Sequence, residues 1–176
     1  MDAASVFVIG VSGSKFDAFM MASLAPEAVV THNDVGVGEL PTMKLMHMFC
    51  QKSPNWNVLY LHTKGAIYNG DPTVTAWRKC MENAVIWQWQ RCVNDLSFSI
   101  ESVGAHWLTP AKYPIIGDVP YWGGNFFWAK SEFLAGLPEI DINADRYQAE
   151  VWIGKGRRPP RIRDYAMHWP GAACCK

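Results

Sequence analysis

The sequence predicts a single α/β domain built on a mainly parallel sheet flanked by helices, and three observations carry that expectation. Short runs rich in β-branched residues alternate with segments whose apolar residues recur at three- and four-residue spacing. The chain has 176 residues, a length that suits one core. No internal repeat or low-complexity block breaks the alternation. Strands joined through helices run parallel, with right-handed connections as the rule.

The elements follow in chain order. Ser5-Val6-Phe7-Val8-Ile9-Gly10 is a continuous β-branched run, as a buried strand should be, and Ser12-Gly13-Ser14 ends it with a turn. From Phe16 to Leu24 the residues Phe16, Phe19, Met20 and Leu24 fall at helical spacing, and Pro26 stops the helix. Ala28 to His32 is the second strand. Asn33 to Gly38 forms a loop, and Pro41 suits the first turn of a helix over Thr42 to Gln51. Asn57 to His62 is the third strand. A long helix is expected from about Thr75 to Leu96, whose stripe of Trp77, Met81, Val85, Trp89 and Val93 reads as core packing. Then come a strand around Ser102 to Trp107, a Pro- and Gly-containing loop to Trp122, and a strand over Asn125 to Ala129. Helices over Ser131 to Leu137 and near Ala144 to Ile153 complete the domain. The domain is taken as residues 1–176, with 157–176 as a C-terminal tail.

Charge and composition narrow the function classes. Sixteen Lys and Arg balance sixteen Asp and Glu, so no global field draws in a polyanion and nucleic acid is not an expected partner. The one dense basic run, Arg157, Arg158, Arg161 and Arg163, reads either as a solvated tail or as a local phosphate or lipid-headgroup contact. Met1 to Gly10 lacks the pattern of a secretion signal and nowhere do about 18 apolar residues run together, so no transmembrane segment and a cytoplasmic location are expected. Five cysteines without paired metal-type spacing suit reduced thiols. Nine tryptophans, several in polar neighbourhoods, offer rings that stack on sugar faces, although large aromatics are first of all core material.

Ligands on such sheets sit at the carboxyl ends of the strands, where Ser12, Asn33, Asp34, His62 and Lys64 gather. In Tyr60-Leu61-His62-Thr63-Lys64-Gly65 a buried strand ends in polar side chains and a glycine. Lys64 supplies a compact charge for a diphosphate, Gly65 allows close backbone approach, and His62 can donate to a phosphate or sugar oxygen. In Tyr121 to Lys130 the paired Gly123 and Gly124 permit close approach, Asn125 both donates and accepts, and Trp122 and Trp128 could form a stacking wall. Arg146 to Trp152 presents one carboxylate, Glu150, among aromatics, where partial burial would raise it toward a general base; a surface helical Glu is the other reading.

Together these segments resemble GT-A-type glycosyltransferase-like proteins related to those of rhamnan and polysaccharide synthesis in bacteria and large viruses. The resemblance rests on Gly38-Glu39-Leu40-Pro41-Thr42, Tyr60 to Gly65, Trp77-Arg78, Val103-Gly104, Gly124-Asn125-Phe126-Phe127-Trp128-Ala129 and Arg146 to Trp152, in that order over most of the chain. It implies a GT-A-like fold, a nucleotide-sugar donor held by Ser12, Asn33, Asp34, His62, Thr63, Lys64 and Gly65, and a glycan or other hydroxyl acceptor at Trp122, Gly123, Gly124, Asn125 and Trp128. It also implies that Glu150 stands where an inverting enzyme keeps its base. The Asp-x-Asp that usually holds a divalent metal in that fold is replaced by His62-Thr63-Lys64. Either Lys64 stands in for the metal's charge, the favoured reading, or Mn or Mg is held by other groups such as Asp34 and His168.

The expected function is therefore transfer of a sugar from a nucleotide donor to a hydroxyl, in polysaccharide or glycan synthesis. The alternative is a non-catalytic carbohydrate-binding or degenerate transferase domain, motivated by the missing Asp-x-Asp. A nucleotidyltransferase is disfavoured, because Ser12-Gly13-Ser14 lacks a long Gly-rich, basic loop.

Overall fold

The computed structural model describes residues 6–33, 38–63, 71–109 and 118–166. In chain order the elements are β1 (Phe7–Ser12), α1 (Lys15–Leu24), β2 (Ala28–Asn33), α2 (Leu40–Lys52), β3 (Asn57–Tyr60), α3 (Pro72–Glu82), α4 (Trp89–Leu96), β4 (Ser102–Gly104), β5 (Trp107–Leu108), β6 (Tyr121–Trp122), β7 (Phe127–Lys130), α5 (Ser131–Ala135), α6 (Tyr147–Val151) and β8 (Ile162–Asp164). The protein is mixed α/β, with six α-helices and three small sheets among the described residues.

The sheets are mostly not parallel, which corrects the mainly parallel expectation. β1 and β2 form a parallel pair, with Ser12 opposite Asn33. The central sheet has the order β3-β7-β4-β8; β7 runs antiparallel to both β3 and β4, and β4 runs parallel to β8. β5 and β6 form an antiparallel pair. An apolar run shows that a strand is buried and says nothing of its direction. Direction is set by the connections: β4 and β5 run one way and β6 and β7 run back beside them, so the chain reverses between β5 and β6 and β7 enters the sheet from the opposite end.

Side chains alternate across the central sheet with the strand period of two. Tyr60, Phe127 and Ala129 join a core with Leu40, Met43, Leu134, Trp152 and Ile153. Leu59 and Trp128 pack against a second core of Met81, Val85, Cys92, Leu96, Val103 and Tyr165. Helices α2, α5 and α6 supply the first core, and α3 and α4 the second.

The long helix expected from Thr75 to Leu96 is broken by a π-helical turn over Asn83–Trp87. The wider turn rotates the residues that follow, so Met81 and Val85 are buried as the stripe predicts while Trp89 is exposed and Cys92 and Leu96 take the inner side. Two hydrogen bonds hold the turn: the Trp128 indole N–H donates to the Val85 carbonyl at 2.7 Å, and the Cys92 thiol to the Ala84 carbonyl at 3.2 Å. Cys50, Cys80 and Cys92 are buried, and burial pushes the Cys92 thiol up to about 12. None of the described residues belongs to a helix long and apolar enough to cross a membrane.

The chain after Arg157 does not begin a tail. Glu101 accepts from Arg158 Nη1 at 2.8 Å and from the Arg161 backbone N–H at 2.9 Å, and β8 then pairs with β4. Arg163 lies 3.4 Å from the Asp95 carboxylate, so three of the four arginines read as a local phosphate contact are matched to acids of the fold. At the other end of the chain, β1, α1 and β2 contribute no residue to either core; Phe7, Phe16, Phe19 and Leu24 are all more than half exposed.

Candidate functional site

The polar residues of the site converge on the amino end of α2. Glu39, the residue that precedes the helix, makes no side-chain cap of its own and Pro41 occupies the first turn. Its carboxylate reaches across to the sheet instead. Oε2 accepts from the Tyr60 hydroxyl at 2.6 Å and from Asn125 Nδ2 at 3.0 Å. Tyr60 is the last residue of β3 and is buried; burial first, then the adjacent Glu39 carboxylate, hold its phenol well above the usual value near 10, so it remains a hydrogen-bond donor.

Asn125 is fixed by the turn before β7. The Asn125 N–H donates to the Trp122 carbonyl at 3.0 Å across a turn whose third residue, Gly124, has φ +87°, a conformation suited to glycine. Asn125 itself has φ +59°, which Asn tolerates better than most residues. Nδ2 also approaches the Ala149 carbonyl of α6 at 3.4 Å, while Oδ1, fully buried, has no partner among the described residues. Two residues beyond β3, the His62 ring lies edge-on to Phe126 with its Nε2 3.0 Å from the Gly124 carbonyl. A carbonyl only accepts, so Nε2 carries the proton and Nδ1 is left as the acceptor in the neutral ring.

The β1–β2 pair meets the same helix. Thr42, one turn into α2, lies so close to β1 that a Cβ on Gly10 would overlap its side chain. Ser12 and Asn33 sit side by side at the carboxyl ends of the two strands, with the Gly13 N–H on the Asn33 carbonyl at 3.2 Å and His32 Nε2 on the Gly13 carbonyl at 2.8 Å. The buried Asn33 Nδ2 has no hydrogen-bond partner among the described residues.

Among the residues singled out from sequence, the structure therefore brings His62, Gly124 and Asn125 into one hydrogen-bonded group and places Ser12 and Asn33 together on the neighbouring strand pair. Thr63 follows His62 and is exposed. Asp34, Lys64, Gly65 and His168 lie outside the described residues, and with them both metal candidates. Among the described residues no group of three His, Cys, Asp or Glu gathers as a metal site would require. The stacking wall expected of Trp122 and Trp128 is not on an open face. Trp122 is 0% exposed, with its indole N–H on Ser102 Oγ at 2.9 Å, and Gly123 lies where a Cβ would meet the Leu108 side chain at 2.7 Å. Gly123 thus admits protein rather than ligand. Glu150 lies half-buried on α6, next to Ala149.

Sequence reasoning passed over Glu39 and Tyr60 as site residues. The signal was present: an acid directly ahead of a Pro-started helix, and a tyrosine ending a buried strand, whose hydroxyl must find a partner. A pocket of about 170 Å³ opens beside the same helix end, with Leu40, Asp141, Gln148, Trp152 and Lys155 in its wall. The buried Asp164 is occupied by the fold: its carboxylate accepts the backbone N–H groups of His106, Trp107 and Ala166 at 2.8–3.0 Å.

Compared with known proteins, residues 5–143 match the model of a family described as a domain of unknown function (DUF8361). No curated protein and no solved structure matches the chain.

Proposed function

The chain belongs to the DUF8361 family, and from the geometry of its site we infer that it is a nucleotide-sugar-dependent glycosyltransferase on a GT-A-like scaffold. One observation carries the reading: Glu39 at the amino end of α2 meets Tyr60 of β3, two residues before His62, and β1, whose carboxyl end sets Ser12 beside Asn33 of β2, packs against Thr42 of the same helix. Ligands of open α/β sheets bind at the carboxyl ends of strands. A mixed sheet does not stand against such a scaffold, because doubly wound sheets often carry an antiparallel strand.

In this reading Ser12 and Asn33 face the nucleotide, His62 and the Thr63-Lys64-Gly65 segment that follows it face the diphosphate, and the pocket against α6 takes the acceptor. Asp34 and His168 stay as candidates for a metal; with His62-Thr63-Lys64 in place of Asp-x-Asp, the lysine charge is the favoured counter-ion. Glu150 removes the acceptor proton as the hydroxyl oxygen attacks the anomeric carbon, the bond to the diphosphate breaks, and attack from the opposite face inverts that carbon. The same replacement of Asp-x-Asp favours a second reading, a glycan-binding domain without transfer.

Titration of the protein with nucleoside diphosphates and nucleotide sugars, followed by thermal shift and by turnover of the donor that binds, separates the two. A true donor at about 100 times its dissociation constant adds about 2.7 kcal/mol of apparent stability. Glu150→Gln should then lower turnover by about 10²–10⁴-fold and leave donor affinity near wild type. Binding of free glycans with indifference to every nucleotide would establish the second reading instead.

A further inference from the structure

Glu39 and Asn125 make a pair of acceptors in search of donors. Glu39 is half-buried, and Oε2 already holds both the Tyr60 hydroxyl and Asn125 Nδ2. Among the described residues Oε1 takes no hydrogen bond. On the other side of the same contact, Asn125 is 0% exposed and its Oδ1 has no partner among the described residues, although nearly all buried side-chain oxygens find one. Turning the amide over offers no remedy, since it would aim an acceptor at the Glu39 carboxylate and at the Ala149 carbonyl. The group is also held rigidly: Asn125 sits at φ +59° behind Gly124, whose carbonyl is tied to His62. Strain of this kind persists where the surroundings over-determine it, and it concentrates at ligand sites.

We propose that Glu39 is a substrate-binding residue that takes hydroxyl groups of the transferred sugar, with Tyr60 and Asn125 as the positioning residues that aim its carboxylate. The chemistry selects the ligand group. A carboxylate accepts and does not donate, so it repels a phosphate and welcomes O–H donors. Glu39, only half-buried, keeps Oε1 for a hydroxyl of a pyranose ring, while Asn125, fully buried, serves to aim it. The sugar end of the donor therefore lies at Glu39, and the diphosphate lies away from it. This inference rests on the transferase reading for the identity of the donor, while the hydroxyl preference of Glu39 stands without it.

The test compares each nucleotide sugar with its own nucleoside diphosphate by calorimetry, with UDP-glucose, UDP-N-acetylglucosamine, GDP-mannose and dTDP-rhamnose as probes. A panel of methyl glycosides serves as the nucleotide-free arm. For the pair that binds wild type, Glu39→Gln should weaken the nucleotide sugar about tenfold to hundredfold, the range expected for loss of a charge-assisted hydrogen bond, and leave the diphosphate unchanged. Tyr60→Phe, which keeps the carboxylate and removes one of the bonds that aim it, should weaken the nucleotide sugar by a smaller factor, again without touching the diphosphate; it decides the matter should Glu39→Gln fail to fold. Equal loss for both ligands, or no loss for either, overturns the assignment. Should wild type bind no nucleotide, the transferase reading falls, and the methyl glycosides decide: binding that Glu39→Gln weakens upholds the hydroxyl site, and no glycoside binding overturns it.

Discussion

At the scale of single residues, Asn125 explains more of the site than any other side chain. It closes the turn before β7, holds Glu39, and reaches α6 through the Ala149 carbonyl. Its identity matters in a way that shape alone does not. Asn125→Asp keeps the size and the tolerance of a positive φ, but sets a second carboxylate against Glu39 where an N–H donated before. Two carboxylates in contact in a buried place cannot both ionise cheaply, and the buried charge left without its partner costs about 3–5 kcal/mol. The introduced carboxyl should thus have a raised value in the folded state, so its penalty grows as the pH climbs past the unfolded carboxyl range and shrinks below it. We expect denaturant unfolding of Asn125→Asp to show a stability deficit against wild type near neutral pH that closes as the pH falls toward the carboxyl range, about 4. A constant deficit across that range would show that charge is not the cause. Asn125 was legible in the sequence as a polar residue after two glycines; its partner Glu39 was not, because nothing in the spacing shows which residues 86 positions apart touch.

At the scale of elements, the alternation of strands and helices was legible nearly throughout, since hydrophobic period and Pro or Gly punctuation act locally. The misreadings share a cause: each depends on a partner distant in sequence. The π-helical turn answers to Trp128, and the break between β4 and β5 falls at His106, whose φ of +65° is held by the Asp164 carboxylate on its N–H. β8 was hidden for the same reason. Its anchor is Glu101, 8% exposed, which receives the Arg158 guanidinium and the Arg161 N–H. The Arg158 hydrogen bond, and then the Arg161 N–H, hold the Glu101 carboxyl below its usual value near 4.5. A carboxyl lowered on folding stabilises the fold fully above the unfolded value and loses that contribution as the pH falls through the folded one. The two arginine side chains are more than half exposed, so water and salt screen their pairing. The backbone N–H has no such relief. Glu101→Ala should therefore cost about 1–3 kcal/mol, chiefly from stranding the Arg161 N–H, whereas Arg158→Ala should cost far less. Urea unfolding near neutral pH distinguishes the two, and at acid pH the difference between Glu101→Ala and wild type should narrow.

At the scale of the whole molecule, the two cores are unevenly shared along the chain, which no local pattern could foretell. The apolar run of β1 and the stripe of α1 look as buried in the sequence as those of β7 and α2, yet among the described residues every core residue lies at Leu40 or later. Burial is a property of the partner as much as of the pattern: β7 is covered by β3 and β4 and by a core on each face, whereas β1 pairs with β2 and leaves Phe7 61% exposed. Local opening is governed by how much apolar contact must be broken, so the unit 7–33 should open at lower free energy than the central sheet. Hydrogen exchange should show it. Backbone amides of β1, α1 and β2 are expected to exchange well before those of β3, β4 and β7, although both sets are hydrogen-bonded in regular structure. The consequence reaches the site, because Ser12 and Asn33 lie on the less anchored unit while Glu39, His62 and Asn125 lie on the anchored one. A ligand that touches both must hold the first against the second. A nucleotide sugar that binds the protein should slow exchange over β1, α1 and β2 far more than over β7, and a methyl glycoside confined to Glu39 should not. Equal protection of the two units in the free protein would mean that the strand pair is anchored by contacts other than these cores, and a ligand that leaves β1 and β2 unprotected would remove Ser12 and Asn33 from the site.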